Sequence, residues 1–198
     1  MISNVCKIEK GSKDLVAIFK ESDKVAAYNN LDHKQTLQLR LLCEELDGML
    51  PKIIENFNGE LWFEFYDGVC EVKVSLRSEE MTIDKKESLI SISNNNKNAA
   101  AIGIVGKIRC AIEDFLLDEE NLQAISISSR PFSLVAGYSE GVDYAYLWSL
   151  KQYKNSVKQE QKEAWDELEK SVIASVADDV TVGVKGKSVD IVITKKFA

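Results

Sequence analysis

Two neighbouring glutamates and one glycine-lysine run are the residues whose types and spacing bear on chemistry. Glu44 and Glu45 lie in QTLQLRLLCEELDGMLPKIIENFN, residues 35–58. Neighbours on a helix point about 100° apart, so the two cannot work as a facing carboxylate pair. Glu45 has Leu41 and Gly48 as helical neighbours, whereas Glu44 is flanked by Arg40 and Asp47, which puts Glu45 closer to the buried side. A carboxylate at the margin of a core can have a raised pKa and serve as a general base; the plainer reading is an ordinary boundary glutamate. The run GIVGKI, residues 103–108, offers glycine amides and Lys107, the parts that cradle phosphate at a helix start. It lacks the four-residue gap and the Ser or Thr after Lys107 of a Walker A loop, and it lacks the spacing of a dinucleotide fingerprint. Its plain reading is a helix with Gly103 and Gly106 at a packing contact.

Other chemistries are excluded by counts. His33 is the only histidine, so a multi-histidine metal site is impossible. Cys6, Cys43, Cys70 and Cys110 form no CxxC pair, and on apolar faces a thiol behaves as a small hydrophobe. No metal site is expected, and reduced thiols fit a cytoplasmic protein. The formal charge of −7 repels phosphate backbones, so nucleic acid is not an expected partner. MISNVCKIEKGSK has no apolar h-region and no run approaches a membrane helix in length, which predicts a soluble, unexported chain with no membrane partner.

The elements that must position these residues follow from periodicity. Leu39, Leu42, Cys43, Leu46, Met49, Leu50, Ile53 and Phe57 recur at helical steps and predict the central core helix. Asp32 with Gln35 has the form of a capping box, Asn58-Gly59 supplies a left-handed stop, and Pro51 near Gly48 bends the last turns. Before it, residues 1–11 form a leader or first strand, and Leu15, Ile18, Phe19 and Val25 mark a helix. After it, GELWFEFYDGVCEVKVSLRS alternates cleanly about Asp67-Gly68 and predicts a hairpin with one apolar and one wet face.

Asp84 with Glu87 predicts a short capped helix, and Ala101, Ile104, Val105, Ile108, Ala111, Ile112 and Phe115 a second long one. LQAISISS and DYAYLWSL read as strands, and Lys151 to Lys162 as a solvated helix end or linker. Ala164, Trp165, Leu168, Val172, Ile173 and Val176 predict one further amphipathic helix, followed by VTVGV, a KGKS turn and VDIVI as a terminal hairpin.

The string LRLLCEELDGML and the order of elements resemble the histidine-kinase-type ATP-binding domains, the GHKL group that includes anti-sigma serine kinases, over about residues 35 to 150. In that family an apolar helix carries a Glu as base and, four residues later, an Asn as magnesium ligand. A hairpin, a lid-like polar loop (here SNNNKN), a glycine-containing helix and further strands follow. The resemblance implies Glu45 as the catalytic base, Asn98, Gly103, Gly106 and Lys107 as nucleotide contacts, and ATP with magnesium as the cofactor. Two departures stand against it. Met49 occupies the magnesium Asn position, and a thioether is a poor ligand for a hard cation. SLRSEE stands where the family has Asp-x-Gly-x-Gly and lacks both glycines. The resemblance therefore implies the fold more strongly than it implies ATP hydrolysis.

The expected architecture is α+β: a two-layer sandwich, with a mixed or antiparallel sheet covered on one face by helices, over residues 1–155. A C-terminal helix and hairpin over 156–198 docks on that domain or on a second subunit. The expected function is a regulatory or interaction protein with degenerate nucleotide motifs, acting on a protein partner or by self-association. An active ATP-binding protein or anti-sigma-like serine kinase is the alternative, and a small-molecule binding protein a second one.

Overall fold

The alternation on either side of Asp67-Gly68 builds the centre of the molecule. In the computed structural model, Asp67 (φ 47°) and Gly68 (φ 76°) both adopt the positive φ that a two-residue hairpin turn requires. They join β2 (Asn58–Tyr66) to β3 (Val69–Arg77), with Tyr66 opposite Val69. The structure describes residues 1–11, 15–54, 56–78, 103–109, 112, 146–157, 171–185 and 188–197. The Asp84–Glu87 helix, the SNNNKN loop, LQAISISS, the Ala164–Leu168 stretch and Cys110 lie outside the described residues. Before the hairpin come β1 (Cys6–Glu9), α1 (Leu15–Tyr28) and α2 (His33–Ile53). After it come α3 (103–109), β4 (Tyr146–Ser149), α4 (Leu150–Val157), α5 (Val172–Val176), β5 (Asp179–Lys185) and β6 (Ser188–Lys196).

The six strands form one sheet in the order β1-β2-β3-β6-β5-β4, and every neighbouring pair is antiparallel. The last strand lies in the interior of the sheet, paired with β3 from Val69↔Lys196 to Arg77↔Ser188. Period-two alternation sends Cys6 and Ile8, Leu61 and Phe63, Cys70 to Leu76, Val189 to Ile193, Val180 to Val184 and Trp148 into one hydrophobic core. The other face is wet. On it Lys73 pairs with Glu64 at 3.0 Å and with Glu71 at 3.1 Å.

Helices cover the apolar face. The capping box at the head of α2 is complete: Gln35 N–H donates to Asp32 Oδ1 at 2.8 Å, and Asp32 N–H donates to Gln35 Oε1 at 2.9 Å. The α2 stripe from Leu39 to Ile53 is buried. Arg40 forks onto the Asp23 carboxylate of α1, through Nε at 2.6 Å and through Nη2, and stacks over Phe19 with its Cζ 5.7 Å from the ring centroid. The far end differs from expectation. Helix α2 stops at Ile53, with Ile54 in extended backbone, and Asn58-Gly59 already belongs to β2. The glycine is needed for a different reason: a Cβ at Gly59 would sit 2.3 Å from the Ser75 carbonyl oxygen of β3.

The tail adds two details. Residues Leu150–Val157 are helical, which favours the helix end over the linker for the part of Lys151 to Lys162 that the structure describes. The helix over Val172–Val176 does not continue back through 171. Ser171 has extended backbone (φ −85°, ψ 122°) and its hydroxyl accepts from Ala174 N, so it starts a new helix as an N-cap.

Candidate functional site

The predicted site residues that the structure describes sit on two helices, α2 and α3. Glu45 is half-buried and Glu44 exposed, in line with their positions beside the stripe. Among the described residues Glu45 makes no hydrogen bond or ion pair. One turn later the Met49 side chain turns into the core and is 3% exposed. It belongs to the same buried cluster as Leu46, Leu50 and Ile53, and a thioether is a poor ligand for a hard cation.

Gly103, the first described residue of α3, has φ +72°, and among the described residues no heavy atom stands within 4 Å of where a Cβ would be, so the constraint there is backbone conformation. Ile104, Ile108 and Ile112 are buried in the common core, and Gly106 is buried with them. Lys107 points elsewhere: its Nζ lies 5.9 Å from the centroid of the Tyr153 ring on α4, a cation–π contact. That ring is in turn 6.1 Å from Trp148. Glu45 and Lys107 form no ion pair with each other, and Asn98 lies outside the described residues. The structure thus places Gly103, Gly106 and Lys107 on one helix, with no ion pair between Glu45 and Lys107.

Sequence reasoning missed the wet face as a candidate surface. Lys7 and Glu9 of β1, Asn58 and Glu60 of β2, and Ser75 and Arg77 of β3 line a concavity of ≈ 540 Å³ at one end of the sheet. The strand alternation that predicted the hairpin also predicts this row, because these are the residues between the buried ones. Its walls carry both signs of charge; Lys7, Glu9, Asn58, Glu60 and Arg77 are exposed, Ser75 and Gly59 half-buried, and Ile8 buried.

Beside it the charges are satisfied. The Trp62 indole N–H donates to Glu64 at 2.9 Å, and that bond first, then Lys73, holds the Glu64 carboxyl below the usual carboxylate range. Partial burial is the largest single influence on Lys73 and lowers its pKa, but the bonds to Glu64 and Glu71 together outweigh it and raise it.

Two thiols, Cys43 and Cys70, are held in the protonated form. Burial, the dominant cause, raises Cys43 strongly and pushes Cys70 up to about 12, with the Glu71 charge adding to the second shift. Cys6, Cys43 and Cys70 are all buried, and none of the three is in a disulfide. Among the described residues no group of three or more His, Cys, Asp or Glu side chains could hold a metal ion, and no helix is long and apolar enough to cross a membrane. No protein-family model matches the chain, and no curated protein or solved structure matches it.

Proposed function

We propose that this chain is a cytoplasmic regulatory or interaction protein built on a histidine-kinase-type ATP-binding fold whose nucleotide motifs are degenerate. Met49 carries the reading. It stands four residues after Glu45, where the resemblance puts the magnesium-ligating Asn, and its thioether is in the core at 3% exposure. Magnesium takes oxygen ligands in strict octahedral geometry, and a buried thioether supplies neither. The contact of Lys107 with the Tyr153 ring supports the same reading, because that ammonium is already engaged.

One observation favours the alternative of an active ATP-binding protein or anti-sigma-like serine kinase. Glu45 is half-buried and has no partner among the described residues, the state a general base needs before substrate arrives. Titration of ATP with and without magnesium separates the two. The degenerate reading expects no magnesium-dependent affinity tighter than about 1 mM. Micromolar affinity that requires magnesium and disappears in Glu45→Ala would overturn it and establish the enzyme.

A further inference from the structure

We draw no further inference here: the strongest candidate, the concavity across β1, β2 and β3 lined by Lys7, Glu60, Ser75 and Arg77, carries exposed charges of both signs, and nothing in the structure shows what occupies it.

Discussion

The amide N–H of Lys151 donates to the carboxylate of Asp179 at 3.0 Å, so the first residue of β5 caps the helix that leaves β4. Asp179 also accepts from Ser149 Oγ at 3.1 Å and from its own neighbour Val180 N at 2.8 Å, and Ser149 Oγ accepts from Gln152 N. One carboxylate and one hydroxyl thereby satisfy orphan donors in the first turn of α4.

Asp179→Ala should cost about 1 to 2 kcal/mol, the range for a lost N-cap with a second partner left unpaired. Asp179→Asn keeps the shape and one acceptor and should cost less. Urea melts of the two variants check the order, and equal losses would show that the charge or the second acceptor oxygen, which Asn lacks, carries the effect.

That tie explains what local reading could and could not find. The hairpin turn was legible because Asp67 and Gly68 announce their own positive φ, and the head of α2 because Asp32 and Gln35 are three residues apart. Gly59 was misread as a helix stop because its reason lies across the sheet, in the Ser75 carbonyl. Over 150–157 the sequence left a helix end and a linker both open for the same cause: the cap that starts this helix comes from residue 179. Within the candidate site, the half-burial of Glu45 follows from its place beside the stripe, whereas the partner of Lys107 is Tyr153, on another helix.

Leu46 is 0% exposed in the middle of the α2 stripe. Truncation to Ala loses the transfer free energy of the side chain and leaves a cavity against the sheet, for about 2 to 5 kcal/mol. A loss below about 0.5 kcal/mol in denaturant melts, the range of surface sites, would mean the helix does not seal the core.

Glu64 ties the wet face to acid stability. Its folded pKa is lowered, by Trp62 first and then by Lys73. A depressed carboxylate contributes stability that is present above its unfolded pKa of about 4.3 and is lost as pH falls through the folded value. Glu64→Gln should therefore flatten part of the decline in melting temperature below about pH 4.5, while keeping an acceptor for the indole N–H. Asp23 and Glu21 are also lowered, by Arg40 and by Lys24 respectively, so a residual acid decline remains in the variant. An acid limb identical to wild type would remove Glu64 from the account.

The last prediction concerns a chain ending at Ser156. It would lose β5 and β6, and β6 is bonded along the whole length of β3 on one side and to β5 on the other. Val189, Ile191 and Ile193 are each 0% exposed and face the core that α2 covers. Removing them strips the centre of the sheet rather than its rim and strands β4 without a neighbour. It also exposes the far edge of β3, a nine-residue strand whose Val72, Val74 and Leu76 form an aggregation-prone template. The truncated chain should show no cooperative thermal transition and should collect in the insoluble fraction. A soluble product with a cooperative melt near that of the full chain would show that β1, β2, β3 and the first two helices hold a core without the C-terminal strands.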